Sequence, residues 1–101
     1  MKRKLNATEV RNAKPQAKPY KLTDGGGLYL HVAPNGARLW RYRYRILGKE
    51  NIFSIGSYPA VPLAEAREEH EDARKLVSQG IHPAQHRKAE KQRAAAEAEN
   101  T

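Results

Sequence analysis

The run Arg38-Leu39-Trp40-Arg41-Tyr42-Arg43-Tyr44-Arg45-Ile46 constrains this chain more than any other segment. Its side chains alternate, with Trp40, Tyr42, Tyr44 and Ile46 at even positions and Arg41, Arg43 and Arg45 between them. A period of two is that of a β-strand, whose successive side chains point to opposite faces, whereas a helix would spread both sets around its circumference. The run is therefore read as a strand with one face for a core and the other a row of guanidinium groups.

The flanks supply partners for it. Leu28 to Val32 also alternates, and Ala33-Pro34-Asn35-Gly36 connects the two runs as a hairpin turn. That turn is either a primed Asn-Gly turn or a Pro-led type I turn closed by a glycine bulge. Leu47-Gly48-Lys49-Glu50 turns the chain again, and Asn51 to Ser57 is read as a third strand, with Phe53 and Ile55 facing inward beside Leu28, Leu30 and Val32. Short turns between consecutive strands make an antiparallel meander the simplest topology. Tyr20-Lys21-Leu22 can add a short strand before it, and Asp24-Gly25-Gly26-Gly27 is read as a turn whose glycines allow positive φ.

One apolar sheet face needs a cover. Leu63, Ala66, His70, Ala73 and Val77, with Leu76 alongside, form a helical stripe over roughly 63–79, and Gly80 supplies the stop. The acids Glu65, Glu68, Glu69, Glu71 and Asp72 favour the start of that helix, and Arg74 and Lys75 its end. Asn6 to Ala13 predicts a short leading helix, with Asn6 as cap and Glu9 at capping-box spacing. Gln85 to Asn100 has helix-forming composition but no apolar stripe, so it is read as a solvated helix or linker. The expected fold class is α+β: a three-stranded antiparallel sheet, with the optional short N-terminal strand, packed on one helix. The expected organisation is a domain over 1–83 and a charged, alanine-rich helical linker over 84–101.

Charge then separates the possible partners. The chain carries a net +8, with residues 1–57 at +9 and residues 58–101 at −1. An excess confined to one half points to a polyanion, and nucleic acid ranks ahead of an acidic membrane because no basic amphipathic helix accompanies it. No stretch approaches the roughly 18 apolar residues of a membrane span, and a cytoplasmic protein is the default expectation. There is no cysteine. His31, His70, His82 and His86 lack metal-ligand spacing, so no metal, cofactor or small-molecule substrate is expected. Asp24-Gly25-Gly26-Gly27 lacks the Gly-Lys-Ser/Thr ending of a phosphate loop and precedes a strand instead of a helix.

Arg41, Arg43 and Arg45 would recur at about 6.8 Å along their strand, close to the spacing of successive phosphates on one DNA strand. They can also present bidentate forks to guanine edges in a major groove, which is wide enough for a small sheet. Tyr29 and His31 from one neighbouring strand, and Ile52 and Ser54 from the other, are expected on the same face. The candidate DNA-binding set is Arg41, Arg43, Arg45, Tyr29, His31, Lys49, Ser54 and Arg38, and Lys2-Arg3-Lys4 adds a mobile phosphate contact. Trp40, Tyr42 and Tyr44 fall on the other face and are assigned to the core and not to base stacking.

Asp24-Gly25-Gly26-Gly27-Leu28-Tyr29-Leu30-His31-Val32, then Trp40 with Arg43-Tyr44, then Gly56-Ser57-Tyr58-Pro59 and Leu63-Ala64-Glu65-Ala66-Arg67, occur in the order and spacing of a known family. From about Leu5 to Pro83 the chain resembles the amino-terminal domain of P4-type prophage and genomic-island integrases, of the tyrosine recombinase family. The resemblance implies double-stranded DNA binding at arm-type accessory sites during site-specific integration and excision. It also implies a catalytic domain beyond Thr101 and no catalytic residue within this chain. In place of the Ser or Thr that commonly caps the Leu-Ala-Glu-Ala-Arg helix stands Pro62, which leaves open how the first turn is capped. His31 replaces a residue that is often more basic, so its contact is expected to depend on pH. The alternatives are a protein-interaction module that organises recombinase subunits through the acidic helix and tail, RNA binding, and a metal-dependent nuclease.

Overall fold

The computed structural model describes residues 3–99, with side chains described through Lys91. In chain order the elements are α1 (Ala7–Arg11), β1 (Tyr20–Gly25), β2 (Leu28–Val32), β3 (Arg38–Ile46), β4 (Lys49–Ser57), α2 (Leu63–Ser78) and α3 (Pro83–Glu99). The strands form one antiparallel sheet in the order β1-β2-β3-β4. The fold is α+β as expected, but the sheet has four strands and not three. The segment read as an optional Tyr20–Leu22 strand continues to Gly25, because Asp24 bulges out of register and lets Gly25 pair with Leu28.

The turns follow from the residues that can occupy them. Gly26 and Gly27 both have positive φ, as a two-residue primed hairpin turn requires. A Cβ on Gly27 would collide with the Arg43 carbonyl and press on the Tyr42 ring, so the close approach of β3 also demands glycine there. Between β2 and β3 only Gly36 has positive φ, and its N–H donates to the Ala33 carbonyl at 3.0 Å, which selects the Pro-led turn of the two possibilities. Between β3 and β4 the turn is only Leu47-Gly48, both at positive φ, so Lys49 and Glu50 belong to β4 and not to the turn.

The even-numbered residues of β3 meet the core. Trp40, Tyr42 and Tyr44 are buried with Leu28, Leu30, Val32, Phe53 and Ile55, and α2 covers them with Leu63, Ala66, His70 and Ala73. Phe53 and Ile55 both face inward, with a register shift between Trp40 and Arg41 that leaves Ile55 unpaired. Burying a large apolar side chain contributes about 1.5–3 kcal/mol, so α2 accounts for a large part of the stability of so small a domain. Pro62 gives α2 no side-chain cap. Its far end is closed by Gly80 N–H to Val77 O and Ile81 N–H to Leu76 O, both 2.9 Å, with Gly80 at φ 77°. Helix α1 is shorter than expected, and Asn6 caps it by accepting from the Glu9 N–H at 2.8 Å.

A buried polar cluster ties the amino-terminal segment to sheet and helix. Asp24 is fully buried and accepts from Leu5 N–H at 3.0 Å, from Arg67 Nε and Nη2 at 3.0 and 2.9 Å, and from Arg3 Nη1 at 3.1 Å. Burial alone would push its carboxyl up, but the hydrogen bonds from Arg67 and Leu5 and the charges of Arg67 and Arg3 outweigh it and hold the group below its usual range. Arg67 Nη2 also donates to the Leu5 carbonyl at 2.7 Å. His70 lies beside this cluster, with Nδ1 2.9 Å from Arg3 Nη1 and Nε2 2.9 Å from the Gly26 carbonyl. Arginine can only donate, so Nδ1 must accept and Nε2–H donates to Gly26. The ring is therefore neutral, and burial, aided by the nearby positive charges of Arg3 and Arg74, lowers its pKa.

Because the folded His70 ring is harder to protonate than an unfolded one, its contribution to stability is fully present above the ordinary histidine value of 6.5 and declines as the pH falls below it. Denaturant midpoints should drop between about pH 7 and pH 5, and His70→Gln should show a lower midpoint at neutral pH with a flatter profile. Leu47 holds φ 53° while 97% exposed, a left-handed conformation with no burial to offset it. Leu47→Asn should raise the unfolding free energy by about 0.5–1 kcal/mol in the same assay.

Candidate nucleic-acid interface

With α2 on the even-numbered side of β3, the odd-numbered side is open. Arg43 and Arg45 are exposed and Arg41 is partly so. The register places their neighbours. Thr23, Tyr29, Arg41 and Ser54 form one row across the four strands, and Lys21, His31, Leu39 and Ser57 form another. Arg43 pairs with Ile52 and Arg45 with Glu50. Five of the sequence-derived candidates, Arg41, Arg43, Arg45, His31 and Ser54, are thus brought together with accessible side chains.

Tyr29 shares the face but keeps only 7% exposure. The Lys21 ammonium lies 5.6 Å from its ring centroid and the Arg43 guanidinium carbon 5.9 Å, so two cations border the ring. Its role in the geometry is to hold Lys21 and Arg43 beside each other. Arg43 is also oriented by Glu50, with Nε 3.3 Å from Oε1. Both partners are about half exposed, so this pair is weak and can rearrange when an anion approaches.

Two candidates lie elsewhere. Arg38 packs on the other side, its guanidinium carbon 4.6 Å from the Tyr58 ring centroid and Nη1 3.4 and 3.3 Å from the Val10 and Arg11 carbonyls. It closes the end of α1 and does not join the row of arginines. Lys49 pairs with Ile46, so it has the parity of the core face at the hairpin tip. Moving Lys49 from the turn into β4 is what reverses its direction. Of Lys2-Arg3-Lys4, Lys2 lies outside the described residues, and Arg3 is held by Asp24, His70 and Glu71.

Sequence reasoning missed Lys21, Thr23 and Arg87. Lys21 and Thr23 become part of the face once β1 is a full strand, and the alternation Lys21-Leu22-Thr23 was the available signal. Arg87 begins in a segment without an apolar stripe, yet its Nη1 donates to the Ser54 and Ile55 carbonyls at 3.0 and 3.3 Å, Nη2 meets Glu69 at 3.1 Å, and its guanidinium carbon lies 4.5 Å from the Phe53 ring centroid. No local pattern announces those contacts. Among the described residues, no group of His, Cys, Asp and Glu has the arrangement of a metal site, and no helix is long and apolar enough to cross a membrane.

Glu50 shares the outer face with Arg43 and Arg45, whereas the acids of α2 lie on the other side of the molecule. Glu65, Glu68, Glu71 and Asp72 are exposed on α2, while Lys21, Arg41, Arg43 and Arg45 belong to the open sheet face. This distribution makes the outer sheet face more basic than the exposed side of α2.

Known proteins are similar to this chain in sequence. The integrase of Shigella phage Sf6 and the prophage integrase IntS of Escherichia coli K12 are each 47% identical over 85 residues, which cover 84% of this chain and 22% of each relative. The integrase of enterobacteria phage P4 is 49% identical over 82 residues, 79% of this chain and 19% of that protein. The chain thus spans about a fifth of the length of these relatives. The profile of the arm DNA-binding domain matches residues 5–90, and the chain belongs to that family.

Proposed function

We propose that this chain binds double-stranded DNA at arm-type accessory sites, through the outer face of its sheet, during integration and excision of a mobile element. The carrying observation is the solvent-facing row Arg41, Arg43 and Arg45, set on a rigid sheet whose opposite face is the core. Family membership supports DNA as the ligand, and the names of the relatives support integration as its setting. Residues 1–83 act as the binding module, and 84–101 lead toward the catalytic part of a tyrosine-type recombinase.

The face is suited to a major groove. A sheet presents side chains at fixed spacing, so its arginines meet base edges or phosphates without the entropy cost of ordering a loop. Arg41, at the centre of the Thr23-Tyr29-Arg41-Ser54 row, is placed to read a base, with Arg43 beside it. His31, Ser54 and Lys21 flank these arginines, and Arg45 lies toward the hairpin tip, positions suited to phosphates. Glu50 tempers the charge at Arg43 and disfavours indiscriminate binding.

A second reading, an interface with other recombinase subunits, draws on the exposed acids of α2 and on a groove of about 430 Å³ between α2, α3 and β4. The two roles use opposite sides and can coexist. Sedimentation separates them, because self-association in the absence of DNA belongs only to the second.

In a gel-shift titration with a mixed-sequence duplex, Arg41→Ala and Arg43→Ala should each cost about 1–3 kcal/mol, roughly fivefold to 150-fold in Kd, with the double variant weaker than either. Equal binding by the double variant and the parent chain would remove the sheet face from the account.

A further inference from the structure

The basic surface does not stop at the edge of the sheet. Beside β4 runs a groove of about 420 Å³, lined by Ile52, Phe53 and Ser54 from the strand and by Ala84, Arg87, Lys88 and Lys91 from α3. Ile52 and Ser54 are the cross-strand partners of Arg43 and Arg41, so the groove is continuous with the outer face. Its lining holds three cations and no carboxylate. Lys88 and Lys91 are exposed and form no ion pair among the described residues.

The groove is held in shape from below. Arg87 spans the Ser54 and Ile55 carbonyls, Glu69 on α2 and the Phe53 ring, which ties the first turns of α3 to strand and helix together. The buried Pro83, and His82 with Nδ1 2.9 Å from the Tyr44 hydroxyl, set the direction in which α3 leaves the core. Lys88 and Lys91 are three apart and so project from one side of α3, on the wall of the groove. Arg87 positions, and the two lysines carry accessible charge.

We infer that this groove is a second DNA contact, a seat for the phosphodiester backbone next to the base pairs met by the sheet, with Lys88 and Lys91 neutralising its phosphates. The inference rests on the DNA-binding reading and extends it to α3, which on its sequence was only a linker. Charge complementarity selects the occupant: a groove with three cations and an apolar floor suits a sugar-phosphate strand, and its lysines act as point charges that read no sequence. Helix α3 would then be clamped between the sheet and the backbone when DNA is bound, so arm-site occupancy would fix the direction of α3.

The test compares the full 101-residue chain with three double variants on a mixed-sequence duplex of about 20 base pairs, at salt from about 50 to 200 mM. Each lost phosphate contact flattens the slope of log affinity against log salt by about 0.9, so Lys88→Gln/Lys91→Gln should lose about tenfold less affinity across that range than the parent chain. Arg74→Gln/Lys75→Gln removes the same charge from α2 and should leave the slope unchanged. Arg41→Ala/Arg43→Ala separates this inference from the reading beneath it. If that variant binds weakly while Lys88→Gln/Lys91→Gln keeps the parent slope, the sheet binds DNA and the groove does not, which overturns the inference alone. If Arg41→Ala/Arg43→Ala binds like the parent, the sheet reading fails and the inference falls with it. Equal flattening by the α2 variant would mean that only net charge matters, and would also overturn it.

Discussion

The structure depends on the register of β3. Trp40, Tyr42 and Tyr44 fill the space under α2, and a slip of one residue would place three guanidinium groups there. Burying unpaired charge costs far more than the few kcal/mol that separate a small domain from its unfolded state, so the alternative register is closed. The core thereby fixes the surface. Arg41, Arg43 and Arg45 face outward because their neighbours must face inward, and an arginine-bearing face is obtained without any loop to order.

A second constraint holds α2 to the sheet at its polar end. Asp24 exists as a buried acceptor only because the β1 bulge turns it inward, and Arg67, Arg3 and the Leu5 N–H satisfy it there. Those donors come from α2 and from the amino-terminal segment, so one carboxylate joins three parts of the chain that are distant in sequence. Removing Arg67, which supplies two of the four donors, would leave the buried carboxylate with only Arg3 and the Leu5 N–H, so the cluster depends most on α2. The glycines beside it admit the carbonyl of Gly26 to His70 and the backbone of Gly27 to β3. The motif around residues 24–27 is thus a structural junction, not a phosphate loop.

Much of this was legible in the sequence, for a physical reason. Alternation and helical stripes report burial directly, so the β3 parity, the aromatic core, the span of α2 and its Gly80 stop were all readable. Lys49 was not, because a tight Leu47-Gly48 turn at positive φ is unusual chemistry for leucine and shifted the strand start by two residues. The fourth strand was under-read because the bulge at Asp24 interrupts its pattern. Arg38 and Arg87 have the same residue type as Arg41, Arg43 and Arg45, and only tertiary contacts assign them to helix closure and to the α3 anchor. Tyr29 was placed on the correct face, but the cations bordering its ring come from strands on either side of it, so its low exposure had no local signature.

The most direct measurement of the central claim is a resonance-by-resonance titration of the isotopically labelled chain with duplex DNA. It would follow the backbone amides of all elements together with the guanidinium Nε groups of Arg41, Arg43 and Arg45. The account expects the largest changes at those guanidinium groups and along the outer rows of the sheet, with the exposed acidic side of α2 little affected. Changes concentrated on α2, with the three arginines unmoved at saturation, would contradict it.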